Sequence, residues 1–177
     1  MSTSRLELDE ILKNLHIRFE ELISCKLIER SEISKSCGEI CASNSGVYLF
    51  WNWSRPMYVG RSDNLITRLQ IHGRKGSSAN SAAFACILAK EKFFKRRHRE
   101  YQFSSMRDLW QNEEFRNLKI GTIKSERDFQ RFFVEAKQGV QKMRVQVVEI
   151  TNPCEQAIFE VYAHLRLCTP YNTFVNH

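Results

Sequence analysis

Gly46-Val47-Tyr48 and, after nine intervening residues, Tyr58-Val59-Gly60 are the segments of this chain best equipped for chemistry. The second runs into Arg61-Ser62-Asp63-Asn64-Leu65-Ile66-Thr67-Arg68-Leu69-Gln70-Ile71-His72. Two phenols, two guanidiniums and an imidazole therefore fall within 25 residues. Guanidiniums grip phosphate oxygens through paired N–H donors, and phenol and imidazole can move a proton. The set points to phosphodiester chemistry.

Each residue also has an ordinary reading. Paired tyrosines on neighbouring strands commonly just stabilise a sheet. Arg68 and His72 are four apart and share a helix face, which is usually solvent decoration. Arg61 follows a glycine, whose missing side chain lets backbone or phosphate approach closely. Glu160 stands among Ile158, Phe159 and Val161. A carboxylate in so apolar a helical segment needs a metal or a basic partner, unless it takes the exposed face of an amphipathic helix. Glu155, five residues earlier and about 140° around the helix, cannot easily serve the same ion and suits the helix dipole. Asn172, after Pro170-Tyr171, fits a turn or a helix cap.

Several elements must position these groups. Apolar residues from Leu8 to Ile23 follow a helical period behind a capping-box pattern at Ser4–Glu7, predicting a helix to about Arg30. Ser31 to Ser45 reads as an irregular connection. Strands are predicted at 46–51, 57–60 and 143–150, the first two forming a hairpin around the turn residues Asn52 to Pro56. Asp63 or Asn64 caps a helix from Leu65 to His72, and 73–81 is a loop. Ser81 caps a further helix carrying the run Lys90 to Arg99, with six Lys or Arg interleaved with Phe93 and Phe94. That run is either a solvated face anchored by its phenylalanines or a track for phosphates. Segments 104–118 and 125–138 read as helices. Asn152 and Pro153 open the last helix, which runs to about Cys168.

The 177 residues suit one domain with appendages. The net charge of +7 favours polyanionic partners, nucleic acid first. Six cysteines occur without a C-x-x-C; Cys37 and Cys41 lack neighbours to complete a zinc site, and Cys86 and Cys168 read as buried small hydrophobes. Reduced thiols, a polar amphipathic N-terminus and no apolar run of ~18 residues give the expectation of a cytoplasmic protein without a membrane span.

The order G-V-Y, Y-V-G, R-S-x-x-L-x-x-R-L-x-x-H, then a glutamate separated by nine residues from P-Y-N, is more specific than its parts. In it the chain resembles the GIY-YIG nuclease superfamily, which includes phage homing endonucleases, the incision domain of bacterial nucleotide-excision repair and some restriction enzymes. The resemblance covers roughly residues 45–90 and 143–173. Val47 and Val59 stand where the name-giving motifs have isoleucine, a β-branched swap of similar volume. The resemblance implies an α+β fold, a small three-stranded, mainly antiparallel sheet with helices packed on it. A nuclease domain would span 45–177 with a helical insertion at about 92–140, preceded by a helical extension over 1–44.

It further implies a metal-dependent endonuclease acting on DNA, of the restriction, mobile-element or defence sort. Glu160 would hold one Mg²⁺ or Mn²⁺. Tyr48 would be the base, its phenol lowered by Arg61 and the ion, with His72 a second base or an orienter of Tyr48. Arg68 would stabilise charge on the phosphoryl oxygens, Tyr58 would position phosphate or water, and Asn172 would hold a helix end and touch phosphate. Arg61, Arg74, Lys75, Lys92, Lys95, Arg96, Arg97 and Arg99 are the expected nucleic-acid contacts, and a homodimer would suit cutting of both strands. A non-cleaving binding protein on the same scaffold and an RNA-directed nuclease are the alternatives.

Overall fold

The computed structural model describes residues 3–172, with the side chains of 3–6, 30, 34, 37, 38 and 40 outside that description. The Ser4 half of the expected capping box and the Cys37 thiol therefore lie outside the described residues. In chain order the elements are α1 (Thr3–Ser24), a 3₁₀ turn (Arg30–Glu32), α2 (Ile33–Ile40), β1 (Gly46–Asn52), β2 (Arg55–Ser62), α3 (Leu65–Gly73), α4 (Ala83–Arg97), α5 (Met106–Gln111), α6 (Glu113–Asn117), α7 (Ile120–Ile123), α8 (Arg127–Gln141), β3 (Arg144–Glu149) and α9 (Pro153–Leu167). The chain divides into two units: residues up to Arg68 together with those from Met143 onward, and Leu69–Lys142. The fold is α+β. No helix among the described residues is long and apolar enough to cross a membrane.

In the first unit three strands lie in the order β2-β1-β3, every pair antiparallel. Alternation puts Val47 and Leu49 of β1 on one face, where they join Val59, Val148 and Ile150. That face meets Ile11, Leu15, Phe19 and Leu22 of α1 and Phe159 and Ala163 of α9. The helical period of the N-terminal segment thus ends in burial against the sheet. Truncating a fully buried phenylalanine such as Phe159 costs about 3–5 kcal/mol.

Helix α1 stops at Ser24 rather than near Arg30. Ile28 leaves the helix to bridge Val145, exchanging both backbone bonds at 2.7 and 3.0 Å. The Gln146 side chain donates to the carbonyls of Ile23 and Cys25 at 3.0 and 2.7 Å. Carbonyls left open at a helix end need such donors, and here they come from a strand more than a hundred residues away. The connection expected to be irregular contains α2, because Ile33 and Ser36 are buried on one side despite the serine-rich composition. The hairpin loop is shorter than the turn residues suggest: only Trp53-Ser54 lie between the strands, and Pro56 sits inside edge strand β2, at a register shift opposite Trp51.

The second unit is helical. Helices α4 and α8 pack through Phe93 and Phe129, edge to face at 6.0 Å. Ser81 does not cap α4: the cap position is Ala82, and the Ser81 hydroxyl bonds to Ser78 instead. The helix expected over 104–118 is broken at Asn112, whose side-chain oxygen accepts from the Phe115 amide at 2.9 Å and restarts the chain as α6. Cys86 is buried as expected, whereas Cys168 is exposed, in the left-handed conformation that terminates α9.

Candidate active site

Tyr48 lies in the middle of β1, opposite Gly60 of β2 and Val147 of β3, and is completely buried. Gly60 is what makes room for it. A Cβ built at Gly60 would stand 2.4 Å from both Cζ and Oη of Tyr48. The absent side chain lets the phenol pass over the neighbouring strand. Gly46 has the same logic on the other side, where a Cβ would meet the Val148 carbonyl oxygen at 2.1 Å. The glycines of both motifs are thus required by close approach rather than by unusual torsions.

Helix α3 brings Arg68 to the phenol. Two asparagines fix the start of that helix. Asn64 Oδ1 accepts from the Thr67 amide at 3.0 Å, and Asn44 Oδ1 accepts from the Ile66 amide at 3.0 Å. Asn44 has a positive φ of 56°, a conformation asparagine tolerates better than most residues. One turn into the helix, Arg68 Nε donates to Tyr48 Oη at 3.3 Å. Tyr58 stands beside them, with its ring centroid 6.3 Å from that of Tyr48.

Helix α9 supplies the acid. Asn152 caps it by accepting from the amides of Cys154 and Glu155, and Pro153 occupies its first turn, as the sequence predicts. Two turns on, Glu160 Oε2 accepts from Arg61 Nε at 3.1 Å. Glu155 points elsewhere and pairs with Arg18 of α1 at 3.2 Å. The carboxylate near the far end of the chain therefore sits beside the early tyrosines and arginines. Tyr48, Tyr58, Arg61, Arg68 and Glu160 line one polar cleft of about 470 Å³, together with Ser62, Asp63 and Gln156.

Electrostatics differ from the expectation at Tyr48. Burial pushes its phenol far above the usual tyrosine range, the neighbouring Tyr58 adds to this, and Arg68 only partly opposes it. Arg61 is bonded to Glu160 and does not lower Tyr48. Burial and the Tyr58 neighbour thus favour the neutral phenol. Tyr58 is likewise raised by burial and then by Glu160. The Glu160 carboxyl is also raised, by burial, against the opposing pull of Arg61 and Arg68.

Asn172 is a clamp. It is buried, its Oδ1 accepts from the Val59 amide and the Thr169 hydroxyl, both at 2.8 Å, and its Nδ2 donates to the Val59 carbonyl at 2.7 Å. The Tyr171 amide donates to the Met57 carbonyl at 3.3 Å. The P-Y-N segment therefore closes the outer edge of β2, which would otherwise present unpaired backbone. Asn172 spends its amide on this strand and not on the cleft. His72 is fully buried, edge-on to Phe84 of the second unit at 6.5 Å, and is not among the described residues lining the cleft.

The basic run is largely neutralised inside its own unit. Lys92 faces Glu135 at 3.3 Å, Lys95 faces Glu91 at 2.7 Å, Arg96 faces Asp128 at 3.1 Å, and Arg97 pairs with Glu126. Arg74, Lys75 and Arg99 are exposed and have no ion pair among the described residues.

Sequence reasoning missed Asn44 and Gln156 and read Asp63 only as a possible helix cap. Gln156 is buried one turn before Glu160 and donates to Ser45 Oγ at 2.8 Å and to the Ile150 carbonyl at 2.7 Å. Its spacing of four from Glu160 was the available signal.

Among the described residues no three His, Cys, Asp or Glu side chains cluster as a metal cage. A roomy polar cleft lined by Glu160 and Asp63 nevertheless fits Mg²⁺, which dehydrates reluctantly and takes one or two carboxylates while keeping waters. Glu160 is the residue that would hold it. No family model, curated protein or solved structure matches this chain.

Proposed function

We propose that this chain is a nuclease of the GIY-YIG type, hydrolysing phosphodiester bonds in DNA with one divalent cation. The observation that supports this reading best is the convergence of Tyr48, Tyr58, Arg61, Arg68 and Glu160 on one polar cleft, although Glu160 is 99 residues from Arg61 in sequence. No general packing rule requires two phenols, two guanidiniums and a carboxylate to meet there.

In this reading Arg68 holds a phosphoryl oxygen and takes up the charge that grows on it. Tyr48, kept neutral by burial, donates its hydroxyl and is itself held by Arg68. Tyr58 orients the phosphate or the attacking water from the neighbouring position. Arg61 contacts the strand beside the scissile bond once its hold on Glu160 loosens. Glu160 would bind Mg²⁺ or Mn²⁺, which supplies Lewis-acid polarisation of the phosphate. The five cysteines whose side chains are described are free thiols, consistent with a cytoplasmic setting, where DNA is at hand.

The test is incubation with supercoiled plasmid, single-stranded DNA and RNA, with Mg²⁺, Mn²⁺ or EDTA. Cleavage of DNA is expected with either ion and not with EDTA. Glu160→Ala is expected to bind DNA without cutting it, and Tyr48→Phe and Arg68→Ala each to lose at least ~10²-fold in rate. Wild-type rates in purified Glu160→Ala would sink the reading. Cutting of RNA alone would change the substrate class.

A further inference from the structure

The tip of the β1–β2 hairpin carries a feature that the hydrolytic cleft does not use. Trp53 has a φ of 57° at the first position of the two-residue loop, a place that ordinarily goes to glycine, asparagine or aspartate. A bulky side chain is strained there, and backbone strain of this kind concentrates at functional sites. Trp53 is also 85% exposed, so burial gives nothing back. Something other than folding is served by an indole at this position.

Beside it lies a second cleft of about 550 Å³, separate from that of Glu160 and lined by Trp51, Ile23, Leu27, Arg144 and Gln146 as well as Trp53. Its parts are held in place. Trp51 Nε1 donates to Gln146 Oε1 at 2.8 Å, and the amide of Gln146 is fixed in turn by the carbonyls of Ile23 and Cys25. Arg144 Nη2 donates to the Trp53 carbonyl at 3.3 Å, which ties the loop to β3. Neither Arg144 nor the exposed Arg55 has a carboxylate partner among the described residues.

We propose that this tip is a stacking site for an unpaired nucleobase, with the base on the Trp53 indole and the adjoining phosphate on Arg144 and Arg55. The charge balance selects this occupant. An apolar peptide would leave two cations unanswered, whereas a nucleotide satisfies both the aromatic face and the charge. A base in a duplex hides its faces in the stack, so an exposed indole face selects unpaired bases, and aromatic stacking tolerates any sequence. The site deepens the nuclease reading and rests on it for its choice of polyanion: it makes DNA with a single-stranded or distorted segment the preferred substrate.

The experiment measures fluorescence anisotropy in EDTA, with labelled oligothymidine, an abasic oligomer of equal length and charge, and a blunt duplex, using wild type, Trp53→Gly and Trp53→Phe. Wild type is expected to bind oligothymidine more tightly than the abasic strand. Trp53→Gly is expected to lose roughly five- to hundred-fold in that affinity, while its thermal midpoint holds or rises because strain is relieved. Trp53→Phe is expected to retain part of the affinity, and duplex binding to change little. Equal binding of oligothymidine by wild type and Trp53→Gly, or equal binding of thymidine and abasic strands by wild type, would overturn the proposal. Cleavage of the same oligomers in Mg²⁺ separates the two ideas. A protein that cuts but ignores Trp53 loses the stacking site alone. One that stacks but never cuts loses the nuclease reading alone, and one that neither binds nor cuts loses both.

Discussion

Gly60 and Glu160 carry the sharpest consequences at the scale of single residues. A methyl group at Gly60 would meet the buried end of Tyr48 at 2.4 Å, and that ring is completely buried. Gly60→Ala is therefore expected to destabilise the protein by about 1–3 kcal/mol through overpacking and to lower cleavage toward the level of Tyr48→Phe. Urea denaturation and a plasmid assay check the two effects separately. Glu160 gives a pH dependence with a definite sign. Burial raises its carboxyl, with Arg61 and then Arg68 opposing. Only the ionised form can pair with Arg61 or hold a cation, so both capacities fade as pH falls through that raised value. Carboxyl NMR in metal-free buffer should place the Glu160 transition above the ordinary glutamate value of about 4.3. Arg61→Ala should move it further up, since Arg61 is the strongest opposing influence. A transition at or below the ordinary value would contradict the burial described here.

Among the elements, the contrast between α4 and the loop after α3 sets where the proposed nucleic-acid partner would be held. On α4, Lys92 and Arg96 are matched by acids of α8, Arg97 by Glu126 at the N-cap of α8, and Lys95 by Glu91 of its own helix. Surface pairs of this kind contribute about 0–1 kcal/mol each, but they cancel the field that a phosphate backbone would feel. Arg74 and Lys75 are exposed without such partners. Reversing Arg96 and Arg97 is expected to leave the salt dependence of DNA binding in EDTA unchanged. Reversing Arg74 and Lys75 is expected to flatten it by about one unit of log–log slope per lost phosphate contact. The opposite pattern would restore α4 as the phosphate track. The run of cations was plain in the sequence. Its neutralisation was not, because the acids come mostly from a helix some thirty to forty residues later.

At the scale of the whole molecule, the division into two units has a spectroscopic consequence. Trp51 and Trp53 report on the first unit and Trp110 on the second. Phe129 is fully buried against Phe93 and Phe133. Phe129→Ala is expected to cost the second unit about 3–5 kcal/mol. In a variant with Trp110 as the sole tryptophan, its emission transition should shift to lower urea; an unmoved transition would mean that this aromatic cluster does not hold the unit together. The positive excess lies in the second unit, which carries 16 Lys or Arg against 8 Asp or Glu, whereas the first carries 11 against 12; any DNA binding through these cations would weaken with salt.

The sequence by itself determined what depends on local spacing. Alternation and β-branching marked three strands, a 3.6-residue period marked the helix that covers them, and Asn152-Pro153 marked the start of the helix bearing Glu160. The ordered spacing of tyrosines, arginines, glutamate and asparagine was enough to nominate the cleft. Tertiary structure alone decided where long-range partners compete with local preference. Ile28 left a helix to join a strand, Gln146 closed the end of α1, and Asn172 turned out to grip Val59 instead of facing the cleft. His72 went into the interior beside Phe84, and burial raised the Tyr48 phenol where a lowered one was expected. Those outcomes depend on burial and on hydrogen bonds between residues up to 123 positions apart, which no reading of neighbouring residues contains.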